Sequence, residues 1–310
     1  MTGRRSFLIT TATTIAAAAL PALPISAFAQ EKKTLINNLL FLNTGILKGT
    51  PEERLRAARH AGFSQIELRK QDVAEMPGGA PAIKQLCGQI GLGLADYQVL
   101  SDFDGAPGNK RVEKRAEATK ILDDGAASGA KLVLAASTSF PDVDPSRIVE
   151  DMQWLADEAK KRGLNIAYEP MSWSSVNWNI PLAWETLQRV GRDNTGIVVD
   201  PYHIFTRGRT AEDLNGIPVE RLSVVQLCDA VLPVAANDYL QRARHHRLFP
   251  GKGNLPLGQL IRKLEQLGYT GPIGLEIYND QYLREPVDEI CRRAMQTLTQ
   301  VLNANILPTS

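Results

Sequence analysis

The chain has 310 residues, with 35 Lys and Arg against 34 Asp and Glu, 44% hydrophobic residues and three cysteines. A net charge of +1 excludes the strongly basic face on which nucleic-acid or anionic-membrane binding depends. Cys87, Cys228 and Cys291 are odd in number and widely spaced, which argues against a disulfide framework and leaves room for one pair at most.

The first predicted element is a leader, MTGRRSFLITTATTIAAAALPALPISAFAQ, with a basic head at Arg4 and Arg5 and an apolar run near Ile15 to Leu20. Ala27-Phe28-Ala29 follows as a small-residue cleavage site. Together these read as a twin-arginine secretory signal over residues 1–29, removed after Ala29, which places the protein in the periplasm. Pro21 and Pro24 break the apolar part, which is too short for the ~20 residues of a membrane helix. No stable membrane insertion is expected after cleavage. An uncleaved anchor is the alternative. Without Arg4 and Arg5 the basic residues fall one short of the 34 acidic ones, so the mature chain, 30–310, is near neutral.

Eight short apolar runs follow: 35–42, 64–68, 94–100, 131–137, 165–170, 195–200, 222–227 and 271–277. Each is rich in branched apolar side chains, as strands buried on both faces are. Amphipathic segments lie between them, among them PEERLRAARHAG, VEKRAEATKILDDGAASGA, PSRIVEDMQWLADEAKKRG and LPLGQLIRKLEQLG. The phrase helix, Gly, strand recurs in "AGFSQIEL", "SGAKLVL", "RGLNIAYE" and "LGYTGPIGLE". Eight such units predict one α/β domain, a single (β/α)8 TIM barrel with eight helices, since right-handed crossovers then pair every strand edge. An open doubly wound sheet is the alternative, but the glycine-rich loop it wants after the first strand is missing.

Barrel enzymes carry their reactive groups at the carboxyl ends of strands. Four consecutive strands end in an oxygen donor: Glu169 in "AYEP", Asp200 in "VVDPYH", Gln226 in "VVQLCD" and Glu276 in "GLEIYND". Three carboxylates on neighbouring strands repel one another unless a cation joins them. An all-oxygen set favours a hard divalent ion, Mg2+ or Mn2+, with Co2+ also compatible. His203, three residues beyond Asp200, is the candidate catalytic base, and a solvent-facing loop histidine is the plainer reading. The stretch RARHHRLFPGKG, residues 242–253, has a poor pattern for helix or strand and rises from the same rim. Guanidinium groups bind carboxylates through paired hydrogen bonds, so the loop is expected to clamp a small anionic substrate, with Arg247 as the donor. Arg244, His245 and His246 either orient that arginine or face water. Nothing in the sequence sets the oligomeric state.

The text "LNIAYEPMSW", "GIVVDPYHIFTRG", "VVQLCDA", "RHHRLFPGKG" and "YTGPIGLEIYND" resembles the xylose-isomerase-like barrel superfamily, and within it the bacterial 3-dehydroshikimate dehydratases of quinate and shikimate breakdown. The resemblance implies metal ligands at Glu169, Asp200, Gln226 and Glu276, the catalytic histidine at His203 and the substrate arginine at Arg247. It also implies substrate contact at Gln98. Where that family is expected to carry an arginine this chain has Ser101, and Arg69 is the candidate replacement. The implied reaction is loss of water from 3-dehydroshikimate to give 3,4-dihydroxybenzoate. The rivals are an exported isomerase, epimerase or dehydratase acting on a sugar or cyclitol, and a solute-binding protein without chemistry.

Overall fold

The first outer helix begins as its residues require. Thr50 Oγ1 accepts the Glu53 N–H, Glu53 accepts the Thr50 N–H at 2.7 Å, and Pro51 takes the first helical position. The computed structural model describes residues 34–304. The signal segment read at 1–29 lies outside them. Eight parallel strands, β1 (Leu40–Asn43), β2 (Gln65–Arg69), β3 (Gly93–Ser101), β4 (Leu132–Ala136), β5 (Asn165–Glu169), β6 (Thr195–Val199), β7 (Leu222–Leu227) and β8 (Ile273–Leu275), pair in chain order, and β8 closes on β1. The helices are α1 (Pro51–His60), α2 (Lys70–Glu75), α3 (Gly79–Ile90), α4 (Arg111–Ser128), α5 (Ile148–Lys161), α6 (Ile180–Val190), α7 (Pro201–Phe205), α8 (Tyr239–His245), α9 (Leu257–Leu267) and α10 (Val287–Ala304). None among the described residues is long and apolar enough to cross a membrane.

The helix, Gly, strand phrases correspond to real turns. Gly62, Gly129, Gly163 and Gly268 all have φ between 69° and 102°, where a side chain would be strained. Three expectations need correction. Residues 35–37 form a 3-10 turn and β1 starts only at Leu40, because Asn37 and Asn38 interrupt the apolar run. The crossover from β6 to β7 has no full helix: α7 is five residues long, and two 3-10 turns complete it. Gly208, Gly216 and Pro218 prevent a longer helix there. The stretch from Arg242 to His245 is the end of α8 rather than loop. Its residues are helix formers, and Tyr239 and Ala243, four apart, supply a buried stripe.

Most of the core lies between strands and helices. Inside the barrel sits a smaller plug of Phe41, Ala95, Leu134, Ala136, Ala167, Val198 and Val224. Gly274 completes this layer, because a Cβ there would lie 2.2 Å from the Phe41 carbonyl oxygen and 2.4 Å from its ring. Gly274→Ala is therefore expected to destabilise the fold by about 2–3 kcal/mol through overpacking against backbone. A denaturant midpoint equal to the parent's would refute that. All three cysteines are buried and free, so the one conceivable pair is not formed.

Candidate active site

Side chains on a strand alternate faces, so a residue two positions beyond a plug residue also points inward. Glu169 follows Ala167, Asp200 follows Val198, Gln226 follows Val224 and Glu276 follows Gly274, each by two. Period-two alternation thus lifts all four oxygen donors onto one polar layer above the plug. All are buried, with exposures of 3%, 3%, 0% and 4%. Two of them, Glu169 and Glu276, border a cavity of about 520 Å³ whose wall also includes Arg69, Gln98, Arg247 and Tyr278.

The layer holds more negative charge than it can keep in ionised form. Burial, with Asp200 beside it, pushes the Glu169 carboxyl up to about 8. Burial likewise pushes Glu276 up to about 7, against the opposing pull of Arg247. Arg247 is the counter-ion. Its Nη1 donates to Asp200 Oδ2 at 2.7 Å and lies 3.2 Å from Glu276 Oε2, while its Nε donates to the Ala243 carbonyl at 2.9 Å.

The expected clamp residue thus faces the protein's own carboxylates. Arg247 borders the cavity but is only 2% exposed, and its charge is spent on the protein's own carboxylates. The cause is long-range: two buried anions attract the nearest guanidinium inward more strongly than a solvated substrate would. The chain around it is fixed by Asp229, whose carboxylate accepts the N–H groups of Gly251, Gly253 and Leu255 at 2.9 to 3.0 Å. Asp229 and Leu248 also exchange both backbone hydrogen bonds at 2.8 Å. His245 faces Asp280 at 3.0 Å, and Arg244 reaches the cavity wall. His246 is exposed, pairs by backbone with Asn279 and is not part of that wall.

His203 is 2% exposed, with Nε2 3.5 Å from both Glu169 Oε1 and Asp200 Oδ2. Trp173 covers it edge-on at 5.0 Å between ring centres. Burial lowers its pKa to about 4, so the ring is neutral at ordinary pH. Its Nδ1 accepts the Ser172 N–H at 3.1 Å, so the neutral ring carries its proton on Nε2. Gln98 donates to Glu276 Oε1 at 3.2 Å and belongs to the site. Arg69, at the end of β2, lines the cavity and forms no ion pair among the described residues.

Sequence reasoning missed a second acidic pair. Glu67 on β2 and Asp96 on β3 are both fully buried. Burial first, then the neighbouring Asp96 and Glu276, push Glu67 well above the usual carboxylate range, and burial pushes Asp96 to about 8. Both Glu67 oxygens accept N–H groups, from Asn43 at 2.6 Å and Gln226 at 2.5 Å, whereas neither Asp96 oxygen has a partner. Burial holds both carboxyls above the usual range, so this interacting pair keeps a proton at neutral pH. The signal was legible, since an acid inside an otherwise apolar strand marks β2 and β3 as it marks the later strands. Cys228 was ambiguous in the sequence. Its sulfur lies 3.8 Å from Asp200 Oδ1 and 3.6 Å from Arg247 Nη1, so it faces the site.

The donor set fits a divalent cation. Glu169 Oε1 and Gln226 Oε1 are buried oxygen atoms without a hydrogen-bond partner, as a ligand atom would be. Glu169, Asp200 and His203 also offer ligand atoms within 4.8 Å of one another. For His203 to join them its proton would have to move from Nε2 to Nδ1, against the Ser172 N–H.

A closed eight-stranded parallel barrel with a buried carboxylate layer beside a cavity is the architecture these residues define. The chain belongs to the xylose isomerase-like TIM barrel family, whose profile matches residues 55–301. It is 31% identical over 242 residues to a 3-dehydroshikimate dehydratase of Pseudomonas aeruginosa, an alignment covering 77% of this chain and 38% of that protein. The chain thus spans about two fifths of that relative's length. Among solved structures, a xylose isomerase-like TIM barrel/4-hydroxyphenylpyruvate dioxygenase fusion protein superposes with TM-score 0.81 at 26% identity, over 86% of this chain and 43% of the fusion. An IOLI protein with a bound zinc atom superposes with TM-score 0.75 at 19% identity, over 86% of this chain and 98% of that one, a likeness of fold.

Proposed function

We propose that the protein is a divalent-metal-dependent 3-dehydroshikimate dehydratase, a hydro-lyase that forms 3,4-dihydroxybenzoate and water. The observation that carries the reading is the mixed lining of one cavity. The carboxyls of Glu169 and Glu276, the first with an unpartnered oxygen, share its wall with the guanidinium groups of Arg69 and Arg244. A ring with a ketone at one end and a carboxylate at the other fits that polarity, and the likeness to a relative of that name supports it. The twin-arginine head supports action outside the cytoplasm.

A divalent cation held by Glu169, Asp200, Gln226 and Glu276 would supply Lewis-acid polarisation of the substrate's C3 carbonyl. His203 takes the C4 proton, acidified by that carbonyl, and returns it to the C5 hydroxyl, which leaves as water when the C5–O bond breaks; loss of a C6 proton and protonation of the C3 oxygen then give the aromatic ring. Its low pKa keeps it unprotonated as a base must be. Attack by Nε2 needs the tautomer with the proton on Nδ1, for which Ser172 Oγ, 3.1 Å away, is the acceptor. Arg69, on the same cavity wall and without an ion-pair partner among the described residues, makes the carboxylate contact. Trp173 and Tyr278, bordering the cavity, limit the entry of water.

Incubation with 3-dehydroshikimate and Mn2+ tests the reading, with the aromatic product followed in the ultraviolet. Absence of product over hours would hand the site to a sugar or cyclitol isomerase. Arg69→Ala is expected to lower kcat/KM by roughly tenfold to a hundredfold, mostly through KM, because a charge-assisted carboxylate contact is lost. An unchanged KM would move the carboxylate elsewhere.

A further inference from the structure

A side-chain amide is oriented by what its two ends meet. Gln226 turns Nε2 toward two carboxylates, Glu67 Oε1 at 2.5 Å and Glu276 Oε1 at 3.4 Å. The reverse orientation would turn the carbonyl oxygen toward Glu67 Oε1 and Glu276 Oε1 and give up both of these contacts. Oε1 is therefore left on the other side, buried and without a partner, as a ligand for a cation must be.

Glu67 is itself held in place. Its Oε2 accepts Asn43 Nδ2 at 2.6 Å, and Asn43 Oδ1 accepts the Gly45 N–H at 2.6 Å. A buried relay thus runs from the backbone after β1, through Asn43 and Glu67, to the amide on β7. Glu67 does not border the cavity, so a bound substrate does not touch it. Outer partners that orient ligands in this way commonly change metal affinity by about 10–100-fold when removed.

We propose that Glu67 is a positioning residue that holds the Gln226 amide with its carbonyl oxygen facing the cation position, an inference that rests on the four-oxygen cation reading above. The test is Mn2+ affinity of the full chain, read from the resonance signal of free Mn2+. It is measured for the parent, Glu67→Gln, Gln226→Ala and the double variant, with folding checked by circular dichroism. Glu67→Gln presents an amide N–H where one acceptor stood, so it is expected to weaken Mn2+ binding about tenfold or more. In the Gln226→Ala background the same change is expected to cost less than twofold, because the residue through which it acts is gone.

Equal losses in both backgrounds would show that Glu67 acts by its charge or as a ligand itself, and would overturn the proposal. So would a Glu67→Gln protein that binds like the parent. If Glu67→Gln does not fold, Glu67→Asp, which withdraws the acceptor by one methylene, carries the same expectations. A parent that binds no Mn2+ overturns the cation reading together with this inference. A parent that binds Mn2+ and loses affinity on Gln226→Ala but not on Glu67→Gln or Glu67→Asp removes only the role of Glu67.

Discussion

Arg247→Met is expected to cost the cation-free protein about 3–5 kcal/mol of folding stability, the loss typical when one member of a buried ion pair is removed. Methionine replaces most of the volume, so the deficit is electrostatic rather than a cavity. Asp200 Oδ2, 2.7 Å from the guanidinium, and Glu276 Oε2, 3.2 Å away, would be left buried without a countercharge. The same variant is expected to regain a large part of the loss in Mn2+, since a ligand at 100 times its Kd adds about 2.7 kcal/mol to the state it binds. Urea unfolding with and without the cation measures both effects. A loss below about 1 kcal/mol would mean that Asp200 and Glu276 do not depend on Arg247.

The cation-free parent is expected to lose about 3 kcal/mol of stability between pH 6.5 and 8, and to keep most of it when saturated with Mn2+. The folded carboxyls of Asp96, Glu169 and Glu276 titrate near 8, 8 and 7, far above their unfolded values. In that window the native state binds more protons than the unfolded chain, so stability falls as pH rises. The contribution is fully present below the unfolded carboxyl range near 4 and is gone once pH passes the folded values. His203 acts in the opposite sense, because burial lowers it from 6.5 to about 4, and its contribution rises only across that interval. Above pH 6.5 the carboxyls therefore act alone. Three interacting groups releasing between one and two protons over this range, at about 1.4 kcal/mol per pKa unit, set the size of the effect. A bound divalent ion favours the ionised forms and flattens the slope. Urea midpoints at the two pH values, in chelator and in Mn2+, decide the matter, and a flat profile in chelator would contradict it.

Most of the barrel was legible because both of its signals are local. Branched apolar runs mark strands buried on two faces, and positive-φ glycines close the helices before them. The first strand was drawn too long because Leu35 and Leu39 sit either side of two asparagines that stop the pairing. The crossover after β6 was read as helical because its glycines and Pro218 were not weighed as breaks. The site followed from the same alternation, which is why Glu169, Asp200, Gln226 and Glu276 share a layer. Glu67 and Asp96 obey the identical rule on β2 and β3.

What the amino-acid order determines by itself is which side chains rise above the plug, since a strand repeats every two residues wherever it lies. It does not determine their partners. Arg247 was read from its rim position as a hand held out to substrate, yet it is turned inward by anions 47 and 29 residues away in the chain. The direction of the Gln226 amide, the raised carboxyls of Glu67 and Asp96 and the facing of Cys228 are set in the same way. Each depends on the sum of charges gathered from different strands within a few ångströms, and that sum exists only once the barrel has closed.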